Sequence, residues 1–230
     1  MIRIRDIALP PAHSAEQLQY EAARLLRLSP SRVRQLRIVR RSVDARKKPD
    51  VKIIYTVDVT VEGSEAKVLR QAGCKRASLA PVSFYQPPKP CPAPEKRPVV
   101  VGFGPAGMFA ALIFALAGQR PLVLERGEDA AARHEKVERF WSGGGFDPRS
   151  NVQFGEGGAG TFSDGKLNTG THDRRMSWML RQFYEHGAPE SVMYDAKPHI
   201  GTDILIDVVQ RIRADVIAHG GEVRFSTRMD

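Results

Sequence analysis

Residues 98–127 read PVVVGFGPAGMFAALIFALAGQRPLVLERG, and the order of residue types in this stretch decides the fold of the back of the chain. Val99, Val100 and Val101 form a short β-branched run suited to a strand buried on both faces. Gly102-x-Gly104-x-x-Gly107 follows, then an uncharged apolar stretch to Gly118, then a second short strand, Leu122 to Leu124, closed by Glu125. The apolar run from Val99 to Gly118 has about the length of a membrane-spanning helix. Its glycines divide it into strand, turn and helix, so the expected unit is β-α-β in a parallel sheet and no membrane span is expected.

Each position has a mechanical task. Gly102 permits the tight turn, Gly104 lets backbone approach a pyrophosphate with no Cβ in the way, and Gly107 lets the helix pack closely on the strand. Pro105 and Ala106 open the helix, whose unpaired N–H groups and dipole receive phosphate charge. Glu125 lies 18 residues beyond Gly107. At that place a carboxylate accepts from both hydroxyls of an adenosine ribose, and it selects against a 2′-phosphate.

The front of the chain is different in kind. Of a net charge of +9, residues 1–90 hold 18 Lys and Arg against 8 Asp and Glu, and the remainder is nearly balanced. The densest run is Arg32, Arg34, Arg37, Arg40, Arg41, Arg46, Lys47 and Lys48. Such a run either meets phosphates or forms a solvated face, and the second reading is preferred because aromatic residues that could stack bases are sparse there. Ser14 and Gln17 make a capping box before a helix carrying Leu18, Ala22, Leu25 and Leu26. Residues 51–62 alternate, with Val51, Ile53, Tyr55, Val57, Val59 and Val61 on one side, which is the clearest strand signal in the sequence. A β-α-β-β arrangement is expected, with a short helix near 65–72. Seven of the 16 prolines lie between Pro81 and Pro98, marking an extended connector. The resulting division is a small basic α/β domain over 1–85, a proline-rich linker over 86–98, and a Rossmann-type domain over 99–230. Cys74 and Cys91 stand apart from any metal-ligand spacing, so no metal site is expected, and with no secretory leader pattern the expected location is cytoplasmic.

A second glycine loop, NVQFGEGGAGTFSDGKL over 151–167, holds five glycines and few bulky side chains, as backbone lying against a flat ligand or phosphate requires. Thr202 or Asp203 is expected to cap a helix carrying Leu205, Val208, Val209, Ile212 and Val216, and Glu222 to Met229 reads as a third strand. The segments RSVDARKK, GFGPAGMFAA, LVLERG, NVQFGEGGAGTFSDGKL and KPHIGTDIL together resemble a family of bacterial FAD-dependent dehydrogenases related to the glutathione-reductase-like flavoproteins.

That resemblance implies a bound FAD, with NAD(P)H as candidate electron donor and hydride transfer at the flavin N5. It implies pyrophosphate at Gly102, Gly104 and Gly107, ribose at Glu125 and the adjoining Arg126, and adenine against the backbone near Arg228 or Met229. A phosphate or ribose contact falls on Arg133. The loop residues Gly157, Gly158, Ala159, Gly160, Asp164, Gly165 and Lys166 come near the flavin end. No catalytic acid or base is singled out, and members of the family run well past residue 230, so the FAD-binding domain is expected to be incomplete. Two other readings are a nucleic-acid-binding front domain joined to a nucleotide sensor, and a P-loop nucleotidase. The second rests on Gly160 to Lys166 matching G-x-x-x-x-G-K, and Leu167 stands where its Ser or Thr would be needed.

Overall fold

The computed structural model describes residues 1–81, 85–162, 165–167 and 173–230. The chain divides into two units: residues 1–83 with 193–198, and residues 84–192 with 199–230. The first is a mixed α/β unit on an antiparallel sheet, and the second is built on a three-stranded parallel sheet.

In the first unit β1 (Ile2–Leu9), α1 (Ala15–Leu25), β2 (Val33–Asp44), β3 (Lys52–Val61), α2 (Glu65–Ala72) and β4 (Ala77–Leu79) follow in order. The sheet order β2-β3-β1-β4, antiparallel throughout, makes a split β-α-β-β-α-β layout. The β-α-β-β expectation is therefore one strand short, since β4 is too brief to show a period. The Ser14 capping box forms as expected: Ser14 N–H donates to Gln17 Oε1 at 2.9 Å, and Gln17 N–H to Ser14 Oγ at 3.4 Å. α2 ends at Gly73, whose φ of 59° is the left-handed closure that glycine makes cheaply. Ile2, Ile4, Leu18, Ala22, Leu26, Val57 and Val59 form the core beneath the two helices.

The alternation of β3 holds on its apolar side, where Tyr55, Val57, Val59 and Val61 are buried. On the other side Asp58 is buried as well, at 1 % exposure. The pairing explains this. Arg3 on β1 and Arg37 on β2 are the residues directly opposite Asp58, one on each flank. Arg3 donates to it through Nε at 2.7 Å and Nη2 at 2.9 Å, and Arg37 through Nη2 at 3.0 Å. Burial works to raise the Asp58 pKa, but the two guanidinium groups outweigh it and hold the carboxyl below its ordinary range. Other members of the basic run are also paired: Arg34 with Glu62, Arg46 with Asp44, and Arg41 with Asp195.

The last pair belongs to a strap. Residues 193–198 return to the first unit from a distant part of the sequence. Tyr194 and Ala196 bracket Arg41 on β2, with Arg41 N–H donating to Tyr194 O at 2.8 Å and Ala196 N–H to Arg41 O at 2.9 Å.

In the second unit β5 (Val99–Val101), α3 (Pro105–Leu116), β6 (Leu122–Leu124), α4 (Ala130–Trp141), α5 (Met176–Glu185), α6 (Thr202–Ala218) and β7 (Glu222–Arg224) follow in order. β6 lies between β5 and β7 and is parallel to both. α6 buries Leu205, Val208, Val209, Ile212 and Val216, the stripe expected of it, but its N-cap is Gly201 and Thr202 already lies inside the helix. Residues 85–98 form neither helix nor strand and are pinned at Cys91, whose N–H donates to Ala117 O at 3.2 Å. Among the described residues no helix is long and apolar enough to cross a membrane.

Removing the Asp58 carboxylate strands two partly buried guanidinium groups. Asp58→Ala is expected to cost about 2 kcal/mol, somewhat less than breaking one side of a fully buried pair. Because the folded pKa is depressed, the stabilising share of Asp58 is fully present above the unfolded value of about 3.9 and is lost as pH falls through the folded value. Urea unfolding followed by circular dichroism, taken from neutral into acid pH, checks both. An Asp58→Ala protein with wild-type stability at neutral pH would show that the row contributes nothing.

Candidate functional site

The two glycine segments are brought together at the carboxyl ends of β5 and β6. The chain leaves β5 through Gly102, whose φ of 89° turns it sharply and whose N–H donates to Leu124 O at 2.8 Å. Gly104 then caps α3, with Pro105 in the first helical position and Met108 N–H donating to Gly104 O at 2.9 Å. A Cβ on Gly107 would run into the carbonyl oxygen of Gly102, so only glycine lets the helix close on the turn. Gly104 differs. The nearest atom to a Cβ there would be Gly158 Cα, 3.9 Å away, so no protein contact requires glycine at this position.

Glu125 is 4 % exposed and ties this turn to the next one. Its Oε2 accepts from Phe103 N–H at 2.6 Å and its Oε1 from Gly127 N–H at 2.8 Å. Its backbone carbonyl accepts from Thr227 N–H at 2.8 Å, which brings the chain after β7 alongside. Each carboxylate oxygen keeps further acceptor capacity.

The second glycine loop is stitched onto both turns. Gly157 N–H donates to Phe103 O at 2.9 Å and Glu156 N–H to Glu128 O at 3.0 Å. Beneath it lies Arg133, at 0 % exposure. Arg133 Nε donates to Asn151 O at 2.7 Å and Nη2 to Val152 O at 2.8 Å. Its Nη1 serves Glu156 O at 2.6 Å, Gly158 O at 2.9 Å and Thr161 Oγ1 at 2.9 Å. Burial pushes its pKa down to about 10, against the pull of Glu125 and Glu156, so it stays charged near neutral pH. Gly155 has a φ of 121°, and a Cβ there would press on the Arg133 side chain. Glu156 is buried too: Oε2 accepts from Ala130 N–H at 2.7 Å and from Arg213 Nη1 at 2.9 Å, while burial raises its pKa.

A groove of about 330 Å³ results. Of the residues singled out from the sequence, Gly102, Gly104, Glu125, Arg126, Gly158 and Met229 line it together. Pro105, Ala106 and Gly107 form the first turn of α3 behind Gly104. Gly157 is outside the lining, bonded to Phe103, while Ala159 and Gly160 lie in a 3₁₀ turn over Gly158–Phe162. Gly165 and Lys166 pair instead with the segment before α6, with Ile200 N–H donating to Gly165 O at 2.8 Å and Lys166 opposite His199. Asp164 lies outside the described residues, as does part of the G-x-x-x-x-G-K segment. Arg228, named with Met229 from the resemblance, also lines the groove, and sequence reasoning missed Thr227 and Phe154, whose ring stacks under the Arg126 guanidinium at 3.9 Å. Among the described residues, Arg126 Nε, Glu128 Oε2 and Glu156 Oε1 are buried with no hydrogen-bond partner.

A family model described as a domain of unknown function (DUF8436) matches residues 1–60. Across its whole length the chain is similar to an uncharacterized protein of Clostridium beijerinckii, at 43 % identity over 230 residues. The match covers 100 % of this chain and 43 % of that relative, so the chain spans less than half the relative's length.

Arg133 is the residue whose loss should be felt most in this unit. Arg133→Met, of similar reach, leaves buried carbonyl groups without donors and is expected to destabilise the second unit by about 3–5 kcal/mol. Arg133→Lys restores the charge but cannot span acceptors on three sides, so it should recover less than half of the loss. Hydrogen exchange at the amides of 151–162 measures this, and unaltered protection in Arg133→Met would rule out the organising role.

Proposed function

We propose that the chain is the nucleotide-holding part of an FAD-dependent oxidoreductase, and that the groove between the two glycine segments takes the adenosine diphosphate half of the cofactor. The observation that carries the reading is at Gly104. A glycine that no protein neighbour requires opens onto the same groove as the Glu125 carboxylate, at the head of a helix. The groove volume, at the low end for small-molecule sites, suits part of a dinucleotide better than a whole one.

In this reading the amides at the start of α3 receive the pyrophosphate, Glu125 accepts from the ribose hydroxyls with the capacity that Phe103 and Gly127 leave it, and the chain at Thr227 to Met229 borders the adenine. When bound, the flavin supplies two-electron transfer, with NAD(P)H as donor. The loop through Gly157 and Gly158 positions the cofactor and excludes water. Arg133 is reassigned here: with its donors on loop acceptors, its role is to hold the loop and not to touch phosphate. The acceptor of the electrons and the activity of the whole protein are part of the same proposal, and no side chain is assigned as an acid or base.

Titration of the purified chain with FAD, ADP and FMN, followed by flavin absorbance and by calorimetry, tests the reading. FAD and ADP should bind and FMN should bind poorly. 2′,5′-ADP should be rejected, because its extra phosphate would meet the Glu125 carboxylate. Gly104→Val is expected to abolish FAD and ADP binding. Glu125→Gln should weaken both about tenfold, or about 1.4 kcal/mol, and leave FMN unchanged. Equal weakening for FMN and FAD would mean that Glu125 only supports the turn. Binding of FAD by Gly104→Val at wild-type strength would remove the groove from the mechanism.

A further inference from the structure

The first unit carries a larger groove, of about 780 Å³, that the nucleotide reading does not use. All of its lining belongs to that unit. In the β2–β3 pairing Arg41 is opposite Tyr55 and Val43 is opposite Ile53. Side chains directly opposite, and those two residues apart, project from the same face. These four therefore form one wall, with Leu18 of α1 beside them and the strap residues Asp195 and Lys197 across from them.

His13, Tyr55 and the Arg41–Asp195 pair are held in place in this groove. His13 Nδ1 lies 2.7 Å from the Pro10 carbonyl, which can only accept, so Nδ1 carries a hydrogen. Its Nε2 then accepts from the Tyr55 hydroxyl at 2.9 Å when the ring is neutral. Arg41 is held by its own backbone on the strap and by Asp195, through Nε at 2.6 Å and Nη2 at 2.8 Å. Arg41 and Lys197 against Asp195 leave the groove with a net charge of plus one when His13 is neutral. The apolar part is unusually open, with Val43 at 67 % exposure. An apolar wall with Val43 exposed and Ile53 half-buried, beside a few positioned polar groups and one unbalanced positive charge, has the chemistry to take a small amphipathic ligand.

We propose that this groove binds a small organic monoanion, a carboxylate on an apolar aliphatic or aromatic body, with the carboxylate at Arg41 and Lys197 and the body against Val43, Ile53 and Leu18. A single negative charge balances the groove, and a phosphate dianion would overshoot it.

The test uses hexanoate, its neutral isostere hexanamide, and inorganic phosphate, titrated into the full chain with amide chemical shifts as the readout. Hexanoate should move the amides of residues 12–18, 38–43, 53–55 and 194–197 in a saturable way, and hexanamide should bind at least tenfold more weakly. Lys197→Gln leaves the Arg41–Asp195 pair intact and should weaken hexanoate severalfold without altering hexanamide. Arg41→Gln should abolish the preference for the anion. If hexanoate and hexanamide bind alike, if phosphate binds as well as hexanoate, or if saturating hexanoate moves no amide in these segments, the proposal fails. FAD binding in Lys197→Gln should equal that of the wild type, which keeps this outcome separate from that of the nucleotide reading.

Discussion

Arg133 gives residues 151–161 the hydrogen bonds that a strand or helix would otherwise provide. A loop rich in glycine has little side-chain surface to bury, and its carbonyl groups turn inward only where donors wait for them. One guanidinium meets that need from the first turn of α4, pointing its fork into the loop. The loop can therefore be compact without being regular. Its charge is offset by Glu125 and Glu156, themselves anchored on backbone N–H groups at the turns after β5 and β6. Removing Arg133 takes from Glu125 the buried cation that offsets it, whereas Glu156 keeps Arg213 as a partner.

The first unit uses arginine in another way. Its positive excess reads from the sequence as a surface property, yet much of it is spent between strands. The row Arg3–Asp58–Arg37 crosses three adjacent strands and covers the sheet face that the helices leave bare. The guanidinium groups flank the carboxylate with their N–H donors and shield it, and their long stems cover sheet surface that would otherwise need apolar residues.

How much of this could be read beforehand depends on the range of the interaction. The unit from β5 through α3 to β6, the buried stripe of α6 and the capping box at Ser14 rest on neighbours in sequence, and they were legible. β2 had a place in the expected order but no bounds, because arginines at 34, 37, 40 and 41 mask its alternation, and β4 was missed because three residues show no period. Gly107 could be explained from its spacing alone, whereas Gly104 needed the structure, since its significance lies in what does not touch it. Arg133 was noticed for a motif-like position, but its buried role leaves no signature, because backbone carbonyls are present at every residue. The stack of Phe154 on Arg126 could have been anticipated only from an aromatic residue standing oddly among glycines.

The strap has a consequence for modularity. The chain passes between its two units three times, at 83/84, 192/193 and 198/199. The front unit is therefore no bead on a string. The family match over 1–60 takes in β1, α1, β2 and nearly all of β3, but it omits α2, β4 and the strap, so the matched segment by itself is an open sheet with two bare edges. An insertion in the proline-rich connector lengthens one passage and leaves both units closed. An insertion between 193 and 198 would break the seal on β2. Recombination that moved the front segment onto another protein would have to bring along six residues encoded more than a hundred positions downstream, which constrains the two units to be inherited together.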